Sequence, residues 1–313
     1  MASKLLTILI IIDLGFSYDA RYGGELYQDG KNARNESMGG LSVSYEDGSN
    51  PVFLKNTKSP SIHFSHKNKF GGIAQVTILS YLHMGKKYPL YLGLKNRSVD
   101  DIPDTRQAWI DNGNSIPESG EINYINIHEI VQQEIGIQLS TIRSLGLNTL
   151  GFTIKPIITT LAEFKSFGIS TDIAVMVEPL DKVDLTFRIE DVMWLKYWNF
   201  GTIETIPPLC ISGMHYQGSR LRMGVEAGSQ IKSNSRLNYH MGIEYKLQEQ
   251  LFFRMGTSHS NQFTAGFGIH LTHINFSYAY LHPDNYSPFE ESFIISVAIN
   301  LDNLNRIKDK ITP

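Results

Sequence analysis

Charged side chains recur at every second position along several stretches of this sequence, and that spacing decides what chemistry they can do. Glu134, Lys155, Asp172, Asp184, Arg188, Glu190, Arg220, Arg222, Glu226, Glu244, Lys246 and Arg254 all alternate with apolar neighbours. The signs are mixed, which argues against a ring selective for one sign of ion. Such a set is expected to line a wet lumen and tie its walls together by ion pairing; the alternative is a polar conduit. Asp100, Asp101 and Asp104 could offer hard oxygen ligands to calcium, but Ile102 and Pro103 interrupt the run and no EF-hand spacing is present. A solvated acidic turn is the expectation. The ten histidines are scattered, and no Gly-x-Ser-x-Gly elbow, His-Glu-x-x-His pair or phosphate loop occurs. Catalytic residues, cofactors and a metal site are therefore not expected. Cys210 is the single cysteine, so no internal disulfide exists.

The elements that carry these charges read as strands. Over 237–247, Leu237, Tyr239, Met241, Ile243, Tyr245 and Leu247 share one face, and Asn238, His240, Gly242, Glu244 and Lys246 share the other. Successive strand side chains point to opposite sides, so this is one apolar and one polar face. Val183, Leu185, Phe187 and Ile189 repeat the pattern against Asp184, Thr186, Arg188 and Glu190.

Strands are predicted near 61–66, 72–82, 90–96, 134–143, 147–158, 168–177, 182–190, 209–216, 220–231, 237–247, 251–257, 262–270, 274–280 and 291–301. This even number, with several strands near the roughly 9–11 residues that cross a bilayer, fits a transmembrane antiparallel up-and-down barrel of an all-β chain. The connections sort themselves. The long ones (97–133, 159–167, 191–208 and 281–290) alternate with tight turns such as 144–146, 178–181 and 271–273. Outer-membrane barrels sort loops this way, with long loops outside and tight turns in the periplasm. Both termini are then expected on the periplasmic side.

Composition agrees with this reading. Fifteen Tyr, sixteen Phe and 26 Gly suit strands and tight turns. A net charge of −3 leaves no electrostatic footprint for nucleic acid. No apolar run approaches the roughly 18–20 residues of a membrane-spanning helix. Residues 1–17 read as a signal peptide: Lys4 opens it, Leu5 to Phe16 form its apolar run, and Gly15 and Ser17 precede a cut before Tyr18. Residues 18–60 then form an N-terminal periplasmic or barrel-mouth segment, 61–301 the barrel, and 302–313 a polar tail.

Residues 33–54 carry a further pattern: Ala33-Arg34, Met38-Gly39-Gly40, and Asn50-Pro51 with Leu54 close behind. It resembles the N-terminal segment of the PorV/PorQ family, FadL-like outer-membrane barrels associated with type IX secretion. The family's Asn-Pro-Ala-Gly-Leu motif reads Asn50-Pro51-Val52-Phe53-Leu54 here, without its Ala-Gly. Asp100, Asp101, Ile102, Pro103, Asp104 and Thr105 look like the family's aspartate-rich segment. The last strand ends near Leu301 and a tail follows, whereas such barrels often end on an aromatic residue that cues insertion.

The resemblance implies a non-enzymatic, FadL-like barrel of fourteen strands in a bacterial outer membrane, with protein partners in a secretion machinery besides the surrounding lipid. Trp194, Tyr197, Trp198 and Phe200 are candidate partner contacts on the 191–208 loop, or else an aromatic belt at the membrane boundary. The alternative is passive transport of hydrophobic small molecules, with a hydrophobic ligand or lipid as partner. With only about 40 residues ahead of the first strand, no long N-terminal hatch is expected, which counts against transport.

Overall fold

The computed structural model describes residues 24–85, 88–116, 118, 120–231, 237–258, 262–283 and 291–301. The predicted signal peptide, 1–17, and the tail, 302–313, lie outside them.

The alternating segments form fourteen antiparallel barrel strands: β1 Ser61–Lys69, β2 Ala74–Met84, β3 Pro89–Asp104, β4 His128–Leu145, β5 Asn148–Leu161, β6 Phe164–Leu180, β7 Val183–Trp198, β8 Leu209–Gln217, β9 Leu221–Gln230, β10 Asn238–Gln248, β11 Leu251–Ser258, β12 Phe263–His270, β13 Ile274–Leu281 and β14 Ser292–Asn300. Each pairs with its sequence neighbours, and β14 returns to β1 with Ser61 opposite Asn300, which closes the sheet. Closure pairs the backbone groups that an open edge would leave unsatisfied in lipid. A short pairing of Ile203–Glu204 against β7 extends one loop.

Burial is inverted relative to a water-soluble protein. On β3, Leu90, Leu92 and Leu94 are exposed, while Tyr91, Gly93 and Lys95, which alternate with them, are buried. Apolar side chains face outward on most strands because the bilayer is their missing partner.

The wall is uneven. Strands β3 to β7 have 16, 18, 14, 17 and 16 residues. Strands β8 to β14 have only 8 to 11. The predicted loops 97–133, 159–167 and 191–208 accordingly shrink to 105–127, 162–163 and 199–208. The reason is physical. Beyond the lipid both strand faces meet water, so the apolar alternation stops while the hydrogen-bonded ladder runs on.

Ahead of the barrel, Glu25–Asp29 (α1), Ala33–Ser37 (α2) and a 3₁₀ turn at Pro51–Asn56 fold into the lumen. Asn32 caps α2 by accepting from the Asn35 backbone N–H at 2.9 Å. The Asn35 side chain accepts from Val43 and Ser44 and donates to Asp47, which knits the segment to itself. The absence of a long N-terminal hatch counts against transport, yet the segment, short as it is, crosses the bore. Residues 24–57 reach the lumen wall on opposite sides, because two single-turn helices and one 3₁₀ turn compact the chain across the bore.

Candidate functional site

The site is the interface between this plug and the lumen wall. It is held in two different ways on the two sides. Against β9 to β13 the plug lies backbone on backbone. Gly224, Gly242 and Gly256 stand in one row across β9, β10 and β11. A Cβ at Gly242 or Gly256 would overlap the backbone of Met38 and Gly39, so glycine is what lets the plug approach. Gly39 and Gly40 have φ of 75° and 80°, the left-handed region, and turn the chain along this row. The Gly39 N–H donates to Thr264 Oγ1 at 2.9 Å, and Gly39 O accepts from His240 Nδ1 at 2.6 Å. On the adjoining β14, Ser296 Oγ accepts from the Ala33 N–H at 2.9 Å.

Next to that row Arg34 bonds Glu244 through two nitrogens, at 2.9 and 3.0 Å. Arg222 and Arg254 reach the same carboxylate at 2.9 and 2.7 Å. One buried carboxylate thus holds three guanidiniums, one from the plug and two from the wall. Charge-assisted, bidentate bonds of this kind are the strong ones.

Against β3 to β7 the plug is held by side-chain tips. Lys95 Nζ donates to Gly30 O at 2.8 Å, and Gln138 Nε2 donates to Gly48 O at 2.6 Å. Asp29 takes Arg97 of β3 at 3.5 Å, and also Lys69 of nearby β1 at 2.6 Å. Burial by itself would raise the Asp29 carboxyl, but Lys69, Lys67 and Arg97 more than reverse this and lower it to about 2. Asn50 caps the 3₁₀ turn that starts at Pro51 and packs Val52 and Phe53 against Ala174 and Met176.

Most of the predicted lumen charges face inward and are paired. Lys155 bonds Asp172 at 2.7 Å and Asp191 at 2.8 Å. Arg188 bonds Glu190 at 3.0 Å and lies 3.9 Å from Glu226, whose carboxylate accepts from the Ser42 N–H. Glu134 faces Arg97, and Asp184 accepts from Gln217. Two predictions are corrected. Arg220 sits exposed in the turn before β9, because the alternation was extended one residue past the strand. Lys246 turns to Glu249 in the next turn, just before a register shift in the last pairs of β10.

The aromatic set also divides. Trp194, Tyr197 and Trp198 lie on β7 rather than in a loop, since that strand runs past the lipid. Trp194 is buried in the lumen against Leu26, Ile157 and Ile206. Trp198 donates to Glu204 and stacks on Phe200, while Tyr197 and Phe200 are exposed. Asp100 to Asp104 form the far end of β3, broken by a register shift at Asp101, whose φ is 56°, and Thr105 begins the loop that follows. Asp104 is paired with Arg106, which also holds Glu163. Among the described residues no group of three metal-ligating side chains is assembled.

Sequence reading missed Asp191, Lys67, Lys69, Lys95 and Arg97. Asp191 has φ of 54° in an irregular stretch of β7, and this turns it inward against the period. The other four lie on strand extensions or opposite unpredicted partners.

One wall feature has no sequence signal except a proline. The β4–β5 ladder pairs Gly136 with Ile157 and then resumes at Leu139 with Ile154. The register is kept, so this is not a bulge: Pro156 has no N–H to give, and the Ile137 carbonyl opposite it loses its ladder donor. The Tyr27 hydroxyl of the plug reaches this point, 2.7 Å from Pro156 O and 3.1 Å from Ile137 O. Ile135, Ile137 and Ile158 are exposed on the lipid side of it.

No protein-family model matches this chain, and no curated protein matches it. Solved structures do. The toluene transporter TodX of Pseudomonas putida is 12% identical and aligns over 87% of this chain and 99% of its own, with a TM-score of 0.60. The monoaromatic hydrocarbon channel CymD gives 11% identity over 87% and 98%, with a TM-score of 0.58. A FadL homologue of Pseudomonas aeruginosa gives 10% over 91% and 99%, with a TM-score of 0.52. The fold is thus the FadL-like outer-membrane barrel of fourteen strands. These neighbours are transporters and channels, not enzymes.

Proposed function

We propose that this chain is a non-enzymatic outer-membrane barrel that passes hydrophobic small molecules. The observation that carries this reading is a plug spanning the bore of a barrel whose outer face is apolar. A plugged bore disfavours a water column, and an apolar solute that reaches lipid gains roughly 25 cal/mol per Å² removed from water. The toluene and monoaromatic-hydrocarbon channels of the same architecture support this reading by analogy. In the proposed orientation a signal peptide exports the chain, and the tight-turn end with both termini faces the periplasm. The test is accumulation of labelled toluene by cells with and without the chain. Faster accumulation with the chain is expected; equal rates would sink the reading.

A second reading follows the PorV/PorQ resemblance: docking in type IX secretion. The observation favouring it is the 105–127 loop, where Ile110, Ile116, Tyr124 and Ile125 are all strongly exposed. Rim aromatics and aliphatics of this kind can anchor a partner protein. Recovery of secretion proteins with the tagged chain from solubilised outer membranes, lost on Tyr124→Ala with Ile125→Ala, would support it. Recovery of the folded barrel alone would count against it.

A further inference from the structure

Between the plug and the wall, in the tight-turn half of the lumen, lies a small polar cavity. Across β1, β14 and β13 the register sets Ser65, Ser296 and Ser277 in one inward row and His63, Ala298 and Asn275 in the next. Ala298 puts only a methyl between two longer side chains, and Arg34 and Glu46 of the plug face the space this leaves. The cavity measures about 20 Å³, enough for one water-sized occupant.

Its hydrogen bonds run one way. Ser277 Oγ accepts from Arg254 Nη1 at 3.2 Å, and its own proton has no acceptor among the described residues. Ser296 Oγ accepts from the Ala33 N–H and meets Ser65 Oγ at 2.8 Å, so one of these two hydroxyl protons is always left over. Arg34 gives Nε and Nη2 to Glu244, which leaves Nη1 to the cavity. His63 is 6% exposed and has Nε2 against Ser61 Oγ at 2.7 Å, while its Nδ1 has no partner. Buried donors are seldom left bare. A water would accept from two of them and bring two protons of its own, whereas an anion accepts from all and donates none. The charges agree: Arg34, Arg222 and Arg254 against Glu244 and Glu46, three to two, leave one positive charge over. Glu46, the one acid on the lining, has its Oε2 3.1 Å from Asn32 Nδ2, which donates to it.

We propose that this cavity binds a monovalent anion of halide size, chloride in solution, and that the ion ties the plug to β1, β13 and β14. Its volume excludes larger anions such as phosphate. The site is independent of what the barrel passes, so the outcome of the toluene-uptake test does not bear on it.

The experiment is a thermal-unfolding titration of the full chain in detergent, with sodium chloride replacing sodium gluconate at constant ionic strength. Chloride is expected to raise the midpoint saturably by roughly 2–4 °C, as a ligand bound only by the folded state does. Ala298→Leu, which fills the space, is expected to remove the effect, with folding checked by the faster gel migration of the unheated barrel. Ser277→Ala removes one donor and little bulk. It is expected to raise the half-saturating chloride concentration about five- to tenfold, the worth of one net hydrogen bond. That variant keeps the test decisive should Ala298→Leu not fold. In crystals grown with bromide, an anomalous peak is expected between Ser65, Ser277 and His63. Equal midpoints in chloride and gluconate, a shift that climbs without saturating, or a halide effect unchanged in Ser277→Ala or in folded Ala298→Leu would overturn the site. So would a bromide-grown crystal with no peak in the cavity, which would assign the space to water.

Discussion

The two sides of the plug differ in what holds it. Against β9 to β13, backbone meets backbone over a glycine row, and Glu244 gathers three arginines beside it. Against β3 to β7, single side-chain tips from Lys95, Gln138 and Arg97 span the contact, and the Tyr27 hydroxyl meets the wall at Pro156. A backbone interface has no rotamers to rearrange, so it gives way only as a unit. Tip contacts break one at a time, each at about 1 kcal/mol. The difference teaches that one side anchors and the other can let go.

The largest expected effect falls on the anchor. Glu244→Ala leaves Arg34, Arg222 and Arg254 without their shared carboxylate, and removal of one partner from a buried ion cluster costs roughly 3–5 kcal/mol. The thermal midpoint in detergent should fall by more than for any single change among the tip contacts. If Gln138→Ala lowers it as far, the comparison is wrong. Next comes Gly256→Val, which drives a branched side chain into Gly39 and Met38. Overpacking of this sort costs about 1–3 kcal/mol, and amide exchange of α2 should quicken while that of the 3₁₀ turn changes less. Uniform quickening across the plug would break the distinction.

The smallest effect belongs to the side that lets go. Asp29 has its carboxyl lowered to about 2, beneath the ordinary value of about 3.9. Its contribution is therefore complete above about pH 4 and lost as pH falls through about 2. Trp194 packs against Leu26 of the same helix. In a chain whose other two tryptophans are Phe, its fluorescence should change over that window, and the change should shrink in Asp29→Asn. A transition of the same size in Asp29→Asn would place the acid sensitivity elsewhere.

Much of this was legible in the residues. Strict alternation in Leu237 to Leu247 or Val183 to Glu190 has one folded solution when one face must meet lipid and the other must pair charges. The loop sorting reported the barrel's two ends. The Ala33-Arg34 and Met38-Gly39-Gly40 motifs marked the stretch that became the plug, although not where it lies. The Tyr27 contact was not legible, because Pro156 alone does not reveal which plug residue will stand opposite it.

The sequence by itself determined the barrel, its fourteen strands and the inward polar face, because a two-residue period is a local property that survives without knowledge of distant contacts. The tertiary structure decided the rest. It set the plug across the bore, gathered Arg34, Arg222 and Arg254 on Glu244, turned Asp191 inward, and brought Tyr27 to Pro156. Those pairings join residues far apart in the chain, and only closure of the sheet, which brings Ser61 beside Asn300, makes them neighbours.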